Sequence, residues 1–578
     1  MTTTTDPVVQ ELTAPGAPFE IVVEPVLGVP LQVYRDRLDS LRDVIATADG
    51  RAGVDFLIQG DRRLTYDEHN ALVRRVAGAF LERGIGHGDR IAILSANNVE
   101  WVVLFWAAAS IGAVVVPLNA WWKAEELRFG LEDSEARLLF CDRRRWDVVR
   151  DIAGELPALE HVLVTDLDEP EGRARPGIEL FAHDDPGVLP ASPTDDGSVA
   201  EDDLLAILYT SGTTGRPKGA TVTHRQALAN LQNIFCLGLA AAKKGATPPE
   251  VGADQQAALL VVPLFHVTGC LATMTLCYTS GAKLVLMPPG RFDPDEAMAT
   301  IERERVTNIG GVPTVMWRIV EAPTFGKYDL SSVTRVGYGG APAPPELVAR
   351  IDEAFPSART TLSTAYGLTE TASIATSNVG DDYLTHAGSV GRPAPTVEIK
   401  VADDDDDEVP AGETGEIWLR GPTVMLRGYW NRPDATAEAV SEDGWFRSGD
   451  IGRFDEDGFL YLVDRAKDMI IRGGENVYCV EVEQALFEHR DVIDAAVVGV
   501  PHRELGEEVK AIVQLRDGAA ATGDDIRAFC AEHLARFKVP EYIELRDEPL
   551  PRNPAGKVLK NLLRGDATAF AAADDSAL

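Results

Sequence analysis

Thr210-Ser211-Gly212-Thr213-Thr214-Gly215-Arg216-Pro217-Lys218-Gly219 follows an apolar run, Leu204 to Tyr209, and leads into Ala220-Thr221-Val222-Thr223-His224. The run reads as a buried strand. The ten residues after it carry three glycines, four hydroxyls and two cations. Glycines let the backbone turn sharply and bring its N–H groups close to a ligand. The hydroxyls add uncharged donors, and Arg216 and Lys218 add positive charge. This mixture suits a polyphosphate. It is not a P-loop, because Gly-Lys-Ser/Thr does not follow a four-residue gap after Gly212. A plain surface loop needs neither this density of turn and donor residues nor a buried strand in front of it.

Strands and helices alternate on both sides of the loop. Thr65-Tyr-Asp-Glu68 is a capping box that starts a helix with Leu72, Val73, Val76, Ala79 and Phe80 on one face and Gly84 at its end. The spacing then predicts strand 90–94, helix 99–110, strand 113–118, helix 124–131 and strand 137–141. After the loop come strands 258–262 and 283–287, helix 295–305, strand 308–310, helix 313–322, strand 335–338 and a strand-like 360–362. This rhythm predicts βαβ units and a largely parallel sheet. Between Gly388 and Leu462 short strands and turns take over, and Asp403 to Glu408, six acids in a row, reads as a solvated hairpin loop. From Asp464 the chain turns charged, then forms a small unit with helices 480–489 and 525–537 and strands 495–500 and 509–515. The fold class is α/β: two α/β subdomains and a short β-rich subdomain, hinged near Lys467 to a small α+β C-terminal domain. The expected boundaries are a disordered Thr- and Pro-rich arm at 1–18, a large domain at 19–466, a mobile domain at 467–565 and a frayed Ala/Asp-rich tail at 566–578.

Composition narrows the partners. The formal charge of the 578 residues is −36. Such a surface repels nucleic acid and anionic membranes. An anionic ligand would then need a local cationic site, so clustered Lys and Arg carry weight. The six cysteines form no C-x-x-C pair and no metal spacing, as expected of reduced thiols in a cytoplasmic protein. The uncharged stretch 101–122 is long enough to cross a bilayer. Gly112 and Pro117 interrupt it, however, and Glu100 and Lys123 abut it. It reads as a buried helix and strand, so no transmembrane segment is expected. A homodimer is one expectation for assembly, on which the sequence carries no signal.

Tyr209-Thr-Ser-Gly-Thr-Thr-Gly-Arg-Pro-Lys-Gly219 resembles the signature of the adenylate-forming superfamily: acyl-CoA synthetases, adenylation domains of peptide synthetases, and luciferases. With the motifs below, the resemblance runs from about Leu64 to Lys557 and is nearest to bacterial fatty-acid-type acyl-CoA ligases. It implies that Thr210, Ser211, Gly212, Thr213, Thr214, Gly215 and Lys218 cradle the phosphates of ATP. In Tyr366-Gly-Leu-Thr-Glu-Thr371 it assigns phosphate contact to Thr369 and Mg²⁺ to Glu370, in keeping with the one or two carboxylates that Mg²⁺ takes beside phosphate and water. Gly339, Gly340 and Ala341 would wall the adenine, with Tyr366 stacking nearby. Asp450 and Arg465 match the ribose-binding pair; a carboxylate suits a diol because it accepts both hydroxyl protons.

Some residues gain meaning only from the resemblance. A lone histidine is more often a satisfied core residue, yet Pro263-Leu-Phe-His266 matches a gate between acyl and nucleotide pockets. His266, Val312, Gly337 and Ala365 are therefore the expected acid-binding residues. A lysine near a C-terminus is usually a solvated charge, but Pro551-Arg-Asn-Pro-Ala-Gly-Lys557 matches the family's catalytic lysine. Its ammonium would bridge the attacking carboxylate and the α-phosphate. Ile471-Arg-Gly-Gly-Glu-Asn476 resembles the loop that enters the site for thioester formation after rotation about Lys467, which places Gly473, Gly474 and Glu475 near CoA.

The implied activity is ATP-dependent acyl-CoA ligation of a carboxylic acid, with release of AMP and pyrophosphate. The uncharged tunnel positions suggest an apolar, fatty-acid-like acid; fatty, aryl and steroid side-chain acids all stay open. The rival reading is an adenylating enzyme that loads a separate carrier protein, since only 21 residues follow Lys557.

Overall fold

The computed structural model describes residues 6–194, 196–210, 217–246, 255–340, 345–386, 388–472, 475–503, 505–516, 518–553 and 556–564. Two sheets carry the large domain. One has seven strands; Leu204–Thr210 lies in it between the parallel strand Val114–Pro117 and its antiparallel partner Lys218–Thr223. The second has thirteen strands. Its parallel centre runs Lys283–Leu286, Ala257–Leu260, Asn308–Gly311, Arg335–Gly339, Ser363–Tyr366. The mixed α/β class predicted from the sequence is the one observed.

Layering follows from where apolar residues fall. Helices Tyr66–Glu82 and Val99–Ser110 are packed by one continuous core that draws Ile91, Phe140 and Leu208 from the first sheet and Leu57, Leu260 and Leu284 from the second. These helices are the filling between the sheets. Trp101, Phe105 and Trp106 are fully buried there. Truncating such a side chain costs about 3–5 kcal/mol. That explains the uncharged stretch at 101–122: it is interior helix and strand. Gly112, at φ 72°, makes the turn between them in a conformation that other side chains resist. Among the described residues no helix is long and apolar enough to cross a membrane. Helices Pro294–Glu304 and Pro313–Val320 cover the far face of the second sheet, and Ala124–Ser134 and Arg143–Ala153 that of the first.

Two expectations change. The arm at 1–18 is not uniformly disordered: Pro7–Thr13 is a helix. Asp6 caps it by accepting from the N–H groups of Val8 and Val9, and Val9 and Leu12 bury against Cys236 and Ala240. A Thr- and Pro-rich composition hid a proline at the first helical turn, where it is tolerated. Residues 360–362 are not a strand; a 3₁₀ turn spans Pro356–Thr361 and the strand begins at Ser363. The β-rich subdomain has its own core, with Val397, Ile399, Ile417, Leu419 and Phe446, and it is joined to the parallel sheet. Strands Glu398–Ala402, Gly415–Arg420, Phe446–Phe454 and Leu460–Arg465 continue the thirteen-stranded sheet through Ser389–Pro393 and Thr376–Val379.

The acidic run 403–408 is fully exposed in a hairpin loop, as expected, with Asp406 reaching Arg447 at 2.8 Å. The C-terminal unit is a five-stranded sheet built on Val492–His502 and Gly506–Leu515, with helices Cys479–Phe487 and Gly523–His533. The expected helix 525–537 thus stops at His533, and a 3₁₀ turn follows at Arg536–Lys538. The six cysteines are buried and free. The expected tail at 566–578 lies outside the described residues.

Candidate active site

Parallel strands bring the candidate residues together. Ligands gather outside the carboxyl ends of strands in open parallel sheets. Here those ends deliver the Pro263–His266 loop, Val312, Gly339–Gly340 and the Tyr366–Glu370 segment side by side. The strands approach closely because small residues allow it. A Cβ on Gly339 would sit 2.9 Å from the Ala365 carbonyl oxygen, and one on Gly337 would meet Ser363 Oγ at 3.0 Å. Across this pair Gly337 stands opposite Ser363 and Gly339 opposite Ala365.

Asp450 and Arg465 face each other across the antiparallel strands Phe446–Phe454 and Leu460–Arg465. Arg465 Nε reaches Asp450 Oδ1 at 2.8 Å, and the Tyr366 hydroxyl donates to Oδ2 at 2.8 Å. Asp450 and Tyr366 are buried. Burial, then the neighbouring carboxylate, keeps the Tyr366 phenol protonated far above its ordinary value. Burial lowers the Arg465 pKa while Asp450 raises it, for a net rise.

Thr369 and Glu370 open a 3₁₀ turn that follows Tyr366 after Gly367 and Leu368. The turn is tight: Ala372 and Ser373 take φ of 51° and 112°. Non-glycine residues in such conformations hold strain that surrounding structure must over-determine. Glu370 Oε1 accepts from the Tyr429 hydroxyl at 2.9 Å, and the Lys218 ammonium lies 5.0 Å from the centre of the Tyr429 ring. Lys218 stands opposite Thr210 at the base of the glycine-rich hairpin. Tyr429 therefore links the loop cation to the acid expected at the metal. One carboxylate is what Mg²⁺ needs when phosphate and water complete its shell, so Glu370 fits that ion.

Lys557 comes from the C-terminal domain. Its loop is a small braced hairpin: Lys557 N–H donates to Asn553 Oδ1 at 2.9 Å, Gly556 N–H to the Asn553 carbonyl at 2.8 Å, and Arg552 to the Gly556 carbonyl at 2.7 Å. Asp494 holds Arg552 at 2.7 Å. The hairpin is docked on the large domain. A Cβ on Gly556, at φ 78°, would stand 2.9 Å from Val312 Cγ2. Arg516 adds a rim contact, 3.5 Å from Glu321 and 3.7 Å from Glu346. The Lys557 side chain is exposed to solvent, although protein atoms surround it at longer range. That enclosure holds its pKa below the ordinary lysine value, and Arg465 and Lys467 push the same way against Asp450 and Glu370. Lys467 is also lowered, by burial and then by Arg465. Three cations thus converge on two carboxylates in a chain whose formal charge is −36.

His266 sits beside Phe265, ring centres 4.7 Å apart. Burial, then the charge on Lys557, lowers its pKa to about 4, so it is a neutral ring at neutral pH. Its Nε2 is buried and finds no hydrogen-bond partner among the described residues. Asn97 fixes this loop, donating to the Val262 carbonyl at 2.9 Å and accepting from Leu264 N–H at 2.7 Å. Glu475 lies away in the strand Glu475–Val477 of the C-terminal sheet. Ser211, Gly212, Thr213, Thr214, Gly215, Ala341, Gly473 and Gly474 lie outside the described residues. Sequence reasoning missed Tyr429 and Asn97, for which no local motif exists.

The geometry has counterparts. An AMP-binding enzyme family model matches residues 44–430, and the model of the AMP-binding enzyme C-terminal domain matches 481–557. A 3-[(3aS,4S,7aS)-7a-methyl-1,5-dioxo-octahydro-1H-inden-4-yl]propanoyl:CoA ligase of Mycobacterium tuberculosis is 38% identical over 512 residues, 88% of this chain and 95% of its own. The long-chain-fatty-acid–CoA ligase FadD13 of the same organism is 36% identical over 504 residues, 87% of this chain and 93% of its own. The crystal structure of the anthranilate CoA ligase AuaEII with anthranoyl-AMP superimposes with a TM-score of 0.79 at 27% identity, covering 91% of this chain and 97% of that one. The chain belongs to the AMP-binding enzyme family, as an adenylate-forming acyl-CoA ligase.

Proposed function

We propose that this ligase activates an apolar carboxylic acid in two half-reactions at one cleft, with Lys557 serving the first and the loop at 473–476 the second. The observation that carries the proposal is the seating of Gly556 on Val312, which brings Lys557 from the small domain to Asp450 and Glu370.

In the first half-reaction a carboxylate oxygen of the acid attacks the α-phosphorus of ATP. The Pα–O bond to the β-phosphate breaks, and its electron pair leaves with pyrophosphate. Two anions must meet for this, and the Lys557 ammonium offsets their repulsion. The surroundings that lower the Lys557 pKa work against its charge, and the arriving anions favour that charge again. Asp450, oriented by Tyr366 and Arg465, would accept the ribose hydroxyls. Lys218 and Glu370 would mark the phosphate end, where Mg²⁺, when bound at Glu370, supplies charge neutralisation. His266, neutral beside Phe265, would wall the acid pocket without carrying a proton. In the second half-reaction the CoA sulfur attacks the acyl carbon, its proton passes to solvent, and the bond to AMP breaks. Lys557 must leave first, so Lys467 is proposed as the hinge, dividing a large domain at 19–466 from a mobile one at 467–565.

Val312, Gly337 and Ala365 bring no charge to the acid pocket, which favours an apolar acid. The relatives named above act, by their names, on a fused-ring propanoate, a long-chain fatty acid and anthranilate. A panel of fatty, aryl and steroid side-chain acids, followed by pyrophosphate release and thioester yield with free CoA, tests the reading. Turnover with an apolar acid is expected. Pyrophosphate release without CoA thioester would support loading of a carrier protein instead. Residence in the cytoplasm fits six free buried cysteines.

A further inference from the structure

A second cationic concavity lies beside the phosphate end of the cleft. It measures about 420 Å³ and is lined by Arg427, Tyr429, Asn431, Arg432, Pro433 and Thr436. That volume lies in the range of small-molecule sites. Its floor is strapped to the strand that leaves the glycine-rich loop. The Thr221 hydroxyl donates to the Gly428 carbonyl at 2.6 Å, and Trp430 N–H donates to the Gly219 carbonyl at 2.8 Å. Tyr429 belongs to both places. It lines this pocket, and its ring carries Lys218 while its hydroxyl bonds Glu370.

The two arginines differ. Arg432 is anchored, 3.0 Å from Asp133 and 3.0 Å from the Asn431 carbonyl. Arg427 is exposed and has no hydrogen bond or ion pair among the described residues. An unpartnered guanidinium in a wall of a pocket, in a chain this acidic, offers a planar fork that matches phosphate oxygens.

We propose that this pocket receives the pyrophosphate as it leaves the nucleotide cleft, with Arg427 as the residue that takes the anion and Arg432, whose charge Asp133 offsets, as a fixed hydrogen-bond donor. The proposal rests on reading Lys218 and Glu370 as the phosphate end of the ATP site. Tyr429 is then the partition between the two stations. By microscopic reversibility the same pocket would receive pyrophosphate when it enters to attack acyl-AMP in the reverse direction. The same phosphate chemistry could come from the 3′-phosphate of CoA, and the test separates the two.

The test uses the full chain and carboxylate-dependent exchange of labelled pyrophosphate into ATP. Arg427→Ala is expected to raise the KM for pyrophosphate about ten-fold, as suits loss of a hydrogen bond to a charged group. The KM values for ATP and for the acid should stay within about two-fold, and Arg427→Lys should recover part of the effect. Arg427 is exposed and unpartnered, so its variants should fold, which thermal melting checks. A pyrophosphate KM equal to that of the unaltered enzyme would overturn the assignment. So would a raised KM for CoA but not for 3′-dephospho-CoA, which would give the pocket to CoA. An unaltered enzyme with no carboxylate-dependent exchange at all would instead sink the underlying reading of the cleft.

Discussion

The Tyr366 hydroxyl donates to Asp450 Oδ2 at 2.8 Å while Arg465 holds Oδ1 of the same carboxylate. The tyrosine ends a strand of the parallel sheet, and the aspartate lies in a strand some eighty positions on. Their bond fixes the orientation of a buried carboxylate. A hydrogen bond to a charged group is worth about 1.5–3 kcal/mol. Tyr366→Phe should therefore raise the KM for ATP by about ten-fold or more, with a smaller change in the KM for the acid. Pyrophosphate exchange at varied ATP reads this directly. Equal KM values for ATP in the two proteins would remove Asp450 from ribose binding.

Lys557, proposed to meet the charge that develops in adenylation, sits in a hairpin braced through Asn553 and Arg552. Preorganised donors of this kind are worth about 10²–10³ in rate. Lys557→Ala should lose that much adenylation. Thioester formation from supplied acyl-AMP should stay within a few-fold, because Lys557 is proposed to leave before that step. Matching losses in the two half-reactions would contradict the division of labour.

Much of this was legible beforehand, for a physical reason. The Thr65 capping box, the strand before the glycine-rich loop and the βαβ rhythm are local patterns, each written within a few residues. The helix Pro7–Thr13 was not, because seven residues cannot hold a helix alone in water. It stands on Asp6 as cap and on Cys236 and Ala240 of a distant helix. The β-rich segment was legible because its turns and alternation are local, whereas its edge pairing to the parallel strands is not. Tyr429 was invisible for the same cause. Its partner Glu370 lies 59 residues away, and only the fold brings the hydroxyl to the acid.

Lys467 follows the strand Leu460–Arg465, in a turn where Asp468 and Met469 N–H groups bond the Arg465 carbonyl at 2.9 and 3.0 Å. A proline at 467 would fix its φ near −65° and restrict Ala466 as well. If the small domain turns about this residue, Lys467→Pro should spare acyl-AMP formation to within a few-fold. Overall thioester synthesis should fall by at least about ten-fold, in the manner of enzymes limited by a conformational step. Normal turnover in the variant would move the hinge elsewhere.

Asp464, three residues before Lys467, accepts N–H bonds from Arg465 and from Cys479 at the start of a helix that follows. Burial nevertheless lifts its carboxyl to about 6. In the unfolded chain the value is about 3.9. The folded protein thus holds a proton that the unfolded chain has already lost between roughly pH 4 and pH 6. The contribution of this group to stability is full below the unfolded value and is lost as pH rises through the folded one. The shift corresponds to at most about 3 kcal/mol. Asp464→Asn cannot ionise, and its amide oxygen can still accept from Cys479 N–H. The variant should therefore gain on the wild type as pH rises from 4 to 6, and keep a constant advantage above pH 7. Thermal midpoints of both proteins across pH 4–8 give the difference, in which the other carboxylates cancel. A difference that stays flat over that range would show that Asp464 titrates as an ordinary surface acid.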